Sequence, residues 1–277
     1  FMSEEDGLHQ GEDVIKIAVA GKPNVGKSSL VNAMLGEERV IVSSIPGTTR
    51  DAIDTPFEAD GKKMVLIDTA GLRRKSRVTE DIEFYSTVRA VGAIERADVV
   101  LLVLDGTEEI SEQDKRIAGI AHEARKALLV VVNKWDLVDK DDKITQEYTE
   151  KIRDEFVFMQ YAPIVFISAK TGQRVHNVLE SINYVMDQYN FRVKTSMLND
   201  LLQEATAIVE PPSVKGRKLK IYYAVQAGVR PPTFIFFIND EKLFHFSYAR
   251  YLENRIRETF ELTGTPIIIK PRERKKS

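Results

Sequence analysis

Eight consecutive residues, Gly21-Lys22-Pro23-Asn24-Val25-Gly26-Lys27-Ser28, place two glycines, a lysine and a hydroxyl where a phosphate chain can be gripped. The spacing is G-x-x-x-x-G-K-[ST]. It follows a strand-like run and opens a helix-like one, the context this motif requires. Glycines let the backbone curl so that successive N–H groups face the phosphates, and the helix start adds partial positive charge. Lys27 is expected to reach the β- and γ-phosphates and the Ser28 hydroxyl to ligate Mg²⁺. Ser29, next in the chain, is counted with the nucleotide-contacting set.

Three further segments supply the rest of such a site. Asp68-Thr69-Ala70-Gly71 ends a strand-like run. An aspartate there can hold Mg²⁺ through water, and the Gly71 N–H can sense a γ-phosphate. In Asn133-Lys134-Trp135-Asp136 the Asp136 carboxylate can accept both in-plane N–H donors of guanine. Adenine presents no such pair, so a buried acceptor would reject it. Asn133 is expected to pin the loop, the Lys134 stem to cover the base, and Trp135 to pack the loop. Ser168-Ala169-Lys170, after the last strand, is expected to close over the guanine carbonyl with backbone N–H groups. Between the phosphate loop and Asp68 lie Thr48 and Thr49, in Pro46-Gly47-Thr48-Thr49-Arg50-Asp51. A loop threonine there can complete the Mg²⁺ shell when the γ-phosphate is present. Both are also ordinary residues for a Pro-Gly turn.

Positioning these segments takes a sheet. From residue 14 onward short β-like runs (14–20, 63–68, 99–105, 128–133, 163–168) alternate with amphipathic stretches (28–35, 85–96, 113–125, 145–155, 175–191). Val-, Ile- and Leu-rich strands alternating with helices predict a mostly parallel sheet covered on both faces, an α/β fold. Every motif then falls at a strand end, where ligands of open α/β sheets bind. After residue 191 the rhythm changes. A helix at 196–208 runs into Glu210-Pro211-Pro212, followed by strands at 219–226 and 233–238, a helix at 248–262 and a strand at 266–270. These elements are too few for a second doubly wound sheet and predict a small α+β domain. The expected division is an acidic linker at 1–13, a nucleotide-binding domain at 14–192 and the small domain at 193–277, ending in a basic tail.

With 277 residues and 43% hydrophobic content the chain can build two cores. Net charge is −2, yet from Asn190 onward 16 Lys and Arg face 9 Asp and Glu, a balance of +7. The remainder carries 24 against 33, a balance of −9. A basic end behind an acidic body suggests different partners for the two parts. The basic run Lys270, Arg272, Arg274, Lys275 and Lys276 reads either as a solvated tail or as a contact for RNA phosphates. Arg73, Arg74, Lys75 and Arg77 read either as a solvated loop or as a nucleotide-sensitive contact surface. There is no cysteine, which excludes disulfides, iron–sulfur clusters and thiolate zinc sites. No apolar run reaches transmembrane length. The expectation is a cytoplasmic protein with no membrane and no DNA partner. His9, His122, His176 and His245 share no metal-ligand spacing. Phe1 before Met2 suggests a fragment boundary or an expression scar.

Together GKPNVGKS (21–28), PGTTRD (46–51), DTAGLRRKSR (68–77), NKWD (133–136) and SAKTG (168–172) resemble the EngA (Der) family of bacterial GTPases. That family belongs with the TrmE, Era and septin-like P-loop GTPases. The stretch Val229-Arg230-Pro231-Pro232-Thr233-Phe234 is similar to part of its KH-like domain. The resemblance runs from residue 14 to about 276 and implies a P-loop GTPase domain followed by a KH-like one. Family members carry two GTPase domains before the KH-like domain, so it further implies that this chain matches the second, with the first as an additional partner. It implies GTP hydrolysis and a role in assembly of the large ribosomal subunit, with ribosomal RNA as partner. The alternative is a nucleotide-regulated RNA-docking module whose hydrolysis has no independent role.

Residue by residue, the resemblance selects Thr49 as the Mg²⁺ ligand beside Ser28 and Asp68. It puts Leu72 where many GTPases use glutamine to orient the attacking water, which a leucine cannot do. It matches Asn24 to an asparagine that helps hold K⁺ beside the phosphates; a turn-forming role is the other reading of Asn24. One departure is clear. Gly216, Gly228 and Gly264 have no glycine three residues away, so the GxxG clamp of RNA-binding KH domains is missing.

Overall fold

The computed structural model describes residues 14–42, 54–69, 82–139, 143–214 and 216–274, with side chains from 89 onward in the third segment and none at 214. Outside those residues lie the 1–13 linker, Thr48, Thr49, Ala70, Gly71, Leu72, the cations Arg73, Arg74, Lys75 and Arg77, and Lys275 and Lys276.

The fold is α/β, built on a mostly parallel sheet. Its strands in chain order are β1 (Ile15–Ala20), β2 (Val40–Val42), β3 (Thr55–Ala59), β4 (Lys62–Leu66), β5 (Val99–Asp105), β6 (Ala127–Asn133) and β7 (Ile164–Phe166). Across the sheet the order is β2-β3-β4-β1-β5-β6-β7. The pairs from β4 to β7 are parallel, whereas β2–β3 and β3–β4 are antiparallel. All seven residues of β5 and all seven of β6 are buried, as strands covered on both faces must be. One face packs on α1 (Lys27–Leu35) and α5 (His176–Tyr189), through Leu30, Met34, Val178 and Ile182. The other packs on α2 (Ile82–Arg96), α3 (Glu112–Glu123) and α4 (Ile144–Glu155), through Ile94, Ala118, Ala121 and Ile152.

The strands β2 and β3 are additions to the sequence reading. Thr-Pro-Phe-Glu-Ala has no apolar run; Phe57 and Ala59 face the core and Glu58 does not. Pro56 pairs with Val65 of β4 but lies beyond Phe57, the last residue of β3 paired with β2. Its missing N–H therefore leaves that ladder intact.

After α6 (Thr195–Ile208) come a two-residue hairpin, β8 (Ser213–Val214) and β9 (Arg217–Lys218), and then β10 (Ile221–Gly228) and β11 (Thr233–Ile238). Helix α7 (Phe246–Phe260) and β12 (Ile268–Glu273) follow. The second sheet has the order β10-β11-β12, antiparallel then parallel. One of its faces packs on α6 and α7 around Phe234, Phe236, Leu201 and Leu252. The final strand runs past residue 270 to Glu273, so Lys270 and Arg272 are strand residues and not part of a free tail. Among the described residues no helix is long and apolar enough to cross a membrane.

The two sheets meet at the end of β6 away from the motifs. The Leu128 N–H donates to the Gly264 carbonyl (2.8 Å), and the Gly264 N–H donates to the Tyr161 carbonyl (2.7 Å). Gly264 thereby extends the β6 ladder beyond the start of β7. It has φ +73, and a Cβ there would sit 2.4 Å from Cγ2 of the fully buried Val185. Gly264→Ala combines left-handed strain with a clash against a packed helix. It should lower unfolding free energy by about 1–3 kcal/mol while leaving the distant motif loops intact. An unchanged melting temperature would contradict this account of the junction.

Candidate functional site

The described motif residues, 21–29, 68–69, 133–136 and 168–170, converge on one edge of the larger sheet, at the C-terminal ends of β1, β4, β6 and β7. The fully buried β6 and its neighbour β5 fix the register of the sheet through packing on both faces, and the loops follow from it. The phosphate loop leaves β1 at Gly21 and enters α1 at Lys27. Gly26 has φ +95, and a Cβ there would lie 2.2 Å from Asn133 Nδ2, so the turn and the approach of the neighbouring loop both need glycine. Asn24 is exposed and left-handed at φ 63; Pro23, Ser28 and Ser29 are exposed and Val25 is buried. The Lys27 Nζ donates to the carbonyls of Gly21 and Lys22, both at 2.7 Å. Burial pulls its ammonium down to about 8, against the favourable charge of Asp114.

Asn133 links the motifs. Its buried Nδ2 donates to the Val25 carbonyl (2.8 Å), and its Oδ1 accepts from the Ala169 N–H (2.9 Å). The phosphate loop and the Ser168-Ala169-Lys170 loop are thus held by one side chain. Trp135 is buried, with its backbone N–H on the Ile167 carbonyl (3.0 Å) and its ring on Phe166 and Tyr148. Asp136 beside it is half-buried and Lys170 is exposed. Ser168 is fully buried and accepts from the Thr171 N–H (3.2 Å). Lys134 is left-handed at φ 60 and ion-pairs closely with Asp105 at the end of β5. Burial alone would raise the Asp105 carboxyl, but Lys134 and the Thr107 hydroxyl and N–H outweigh it and hold it below its ordinary range.

Asp68 is held on both sides. Its N–H donates to Asp54 Oδ1 (2.9 Å), and Arg89 forks onto its carboxylate at 3.2 and 2.8 Å. Asp54 pairs closely with Arg96 in turn. The Thr69 hydroxyl is buried against that of Thr55 (2.8 Å). Lys22 pairs with Glu108 (2.9 Å) and with buried Asp114 (3.3 Å), which also caps α3 through Ser111. Burial works against the Lys22 charge, but the two carboxylates raise its pKa above the ordinary value.

Asp54, Arg89, Asp105 and Asp114 escaped the sequence reading. Asp105 alone carried a signal, since it ends a fully apolar strand as Asn133 does. Thr49, Ala70, Gly71 and Leu72 lie outside the described residues, so this geometry involves none of them.

Comparison with known proteins gives the site its setting. A family model described as 50S ribosome-binding GTPase matches residues 16–134. A second, described as the KH-domain-like C-terminal part of EngA bacterial GTPase enzymes, matches residues 192–272. GTPase Der of Caldanaerobacter subterraneus subsp. tengcongensis is 58% identical over 98% of this chain and 62% of its own length. GTPase Der of Halalkalibacterium halodurans is 59% identical over 96% of this chain and 61% of its own. This chain belongs to the Der (EngA) family of GTPases. It spans a little over three-fifths of the length of those Der relatives. A fainter likeness, 21% identical with a TM-score of 0.48 over 94% of this chain and 92% of the other, is to Era solved with MgGDPNP and nucleotides 1506–1542 of 16S ribosomal RNA.

Asn133→Asp keeps the acceptor for Ala169 and replaces the donor to Val25 with a carboxylate facing a carbonyl. It should lower stability by about 1–3 kcal/mol and guanine-nucleotide affinity by about tenfold or more. Titration with a fluorescent GDP analogue, beside a thermal melt, reads both. Undiminished affinity would show that the bridge does not shape the site.

Proposed function

We propose that this Der-family chain binds guanine nucleotide with Mg²⁺, hydrolyses GTP, and acts as a nucleotide-controlled factor in assembly of the large ribosomal subunit. The Asn133 bridge carries the reading, because it joins a phosphate-gripping loop to the loop expected over the base. The division into a nucleotide-binding domain at 14–192 and a KH-like domain at 193–277 is part of the proposal, as is work in the cytoplasm. So is a first GTPase domain as partner within the further length of the relatives.

In this reading Gly21 to Ser29 wrap the phosphates with backbone N–H groups. Lys27 leaves the carbonyls of Gly21 and Lys22 and places its ammonium on the β- and γ-phosphates. Ser28, Thr49 and Asp68 would hold Mg²⁺. Two hydroxyls and a carboxylate make an all-oxygen set that suits this hard ion, and the Arg89 fork orients Asp68. When bound, the ion supplies neutralisation of the charge shared by the β- and γ-oxygens. Thr69, Ala70 and Gly71 approach the γ-phosphate, with the Gly71 N–H sensing it. Leu72 offers no group to orient water, so intrinsic turnover is slow. Asn24 helps hold K⁺, whose charge stands in for an arginine finger. Asp136 reads guanine, with Lys134 and Trp135 shaping its loop and Ser168, Ala169 and Lys170 closing on the base carbonyl.

The ribosomal part rests on the family description of a 50S ribosome-binding GTPase and on the +7 charge balance after Asn190. Large-subunit binding should differ between GDP and a GTP analogue; equal affinity in both states would remove the switch from the proposal.

Two measurements test the site. Asp136→Asn should weaken GTP by roughly 100-fold and favour xanthosine triphosphate, because an amide donates where the carboxylate accepted. Equal GTP affinity in the variant would sink the base-reading role. Hydrolysis should run faster in KCl than in NaCl at equal ionic strength, and Asn24→Ala should erase the difference. A wild-type protein indifferent to the cation rules out the K⁺ assignment.

A further inference from the structure

Two arginines on one helix hold two aspartates at neighbouring strand ends. Arg89 and Arg96 lie seven residues apart on α2, which is two turns and about 10 Å along one face. Arg89 forks onto Asp68, which follows β4, and Arg96 pairs closely with Asp54, which precedes β3. Strands β3 and β4 are antiparallel, with Thr55 opposite Leu66, so the two aspartates leave the sheet side by side. The Asp68 N–H donates to Asp54 Oδ1 at 2.9 Å, and the Thr69 hydroxyl meets that of Thr55 at 2.8 Å. The contacts close a ring: Arg89 to Asp68, Asp68 to Asp54, Asp54 to Arg96, and back along the helix.

Helix stability does not call for the outer half of this ring. Buried Ile94 anchors α2 near its C-terminal end, whereas Arg89 is 48% exposed. An ion pair that open contributes little to folding. A fork has another property, because it fixes the plane of a carboxylate as well as its position. Asp68 also has a left-handed backbone, φ 54, and the bond from its own N–H to Asp54 supports that conformation. Backbone and side chain of one aspartate are thus set from two sides, and both settings lead back to α2. This is the aspartate that the proposed function gives to Mg²⁺. Partners of a metal-holding carboxylate commonly govern metal affinity without touching the ion.

We infer that Arg89 is a positioning residue for Mg²⁺, and that α2, through Arg89 and Arg96, docks more firmly when the metal is bound. The inference rests on the reading that Asp68 serves Mg²⁺. It concerns the metal itself. Linkage is reciprocal, so a docked helix that favours Mg²⁺ is in turn favoured by Mg²⁺. The effect should therefore appear with GDP, where there is no γ-phosphate.

The test uses the full chain and a fluorescent GDP analogue. Binding of the analogue is titrated with Mg²⁺, and its affinity is measured again in EDTA. Arg89→Ala should raise the Mg²⁺ midpoint roughly tenfold, the lower end of what partners of metal-holding carboxylates contribute. Its affinity in EDTA and its melting temperature should stay as in the wild type. Arg89→Lys, which keeps the charge and loses the fork, should fall between the two. Hydrogen exchange of the α2 amides should slow when Mg²⁺ is added to the GDP-bound wild type, and should not respond in Arg89→Ala. An unchanged Mg²⁺ midpoint in Arg89→Ala overturns the inference, and so does a lowered one, which would mean that the fork competes with the ion. Equal loss of GDP affinity with and without the metal also overturns it, since Arg89 would then only support the fold. Each of these results leaves Mg²⁺-dependent nucleotide binding standing. If the wild type binds GDP identically in Mg²⁺ and in EDTA, the metal assignment fails and the inference with it.

Discussion

One buried carboxamide determines whether the loops of the larger sheet form a site. Asn133 has a donor and an acceptor on the same planar group, and it spends one on the Val25 carbonyl and the other on the Ala169 N–H. Those loops are 108 and 36 residues away in sequence, and this one side chain joins them. No other side chain of this size offers both polarities in a fixed plane. Aspartate lacks the donor and leucine lacks both. Leaving either buried partner unsatisfied costs more than the bond itself contributes. The close approach also explains Gly26, where any Cβ would collide with the same amide.

Asn133 can act this way because the strand beneath it is rigid. Every residue of β6 is buried, β5 and β7 flank it, and helices cover both faces. Its other end is tied as well, since the Leu128 N–H meets the Gly264 carbonyl of the segment before β12. One strand therefore carries the motif bridge at its C-terminal end and the junction with the smaller sheet at its start. The span is about 17 Å. Arg257, 4.7 Å from the Tyr161 ring, and the Arg230 N–H on the Tyr189 carbonyl add to that junction. A shift of β6 along its axis would disturb both ends together.

Much of this was legible in the sequence, and the parts that were not have a common cause. Continuous apolar runs such as 99–105 and 128–133 announce strands buried on two faces. Motif spacing then places the loops at their ends. The antiparallel strands β2 and β3 escaped because an edge region alternates and tolerates Pro56 and Glu58. The final strand was read two residues early at its start and three short at its end, because Arg272 and the charges after it resemble a solvated tail when only charge is considered. Pairing with β11 decides otherwise, and pairing is a long-range property. The ion pairs of Asp54, Asp105 and Asp114 were invisible for the same reason: each joins residues that no local pattern connects.

Those pairs share a logic with the lysine of the phosphate loop. Lys22 rests on Glu108 and Asp114, Lys134 on Asp105, Arg89 on Asp68, and Lys27 on two carbonyls. Each of these cations at this edge of the sheet has an oxygen partner. A site so balanced does not collapse on itself, and it does not need a large rearrangement to receive charge. Of the four, Lys27 alone is held by neutral acceptors, and burial lowers its pKa to about 8. Of these cations it is the one for which exchange of partners for a phosphate brings the largest electrostatic gain. In the proposed function the others keep their carboxylates and hold the loops still while Lys27 changes partner. The arrangement separates two tasks that a single cluster of lysines could not perform together, fixing the loop geometry and answering the arrival of the nucleotide.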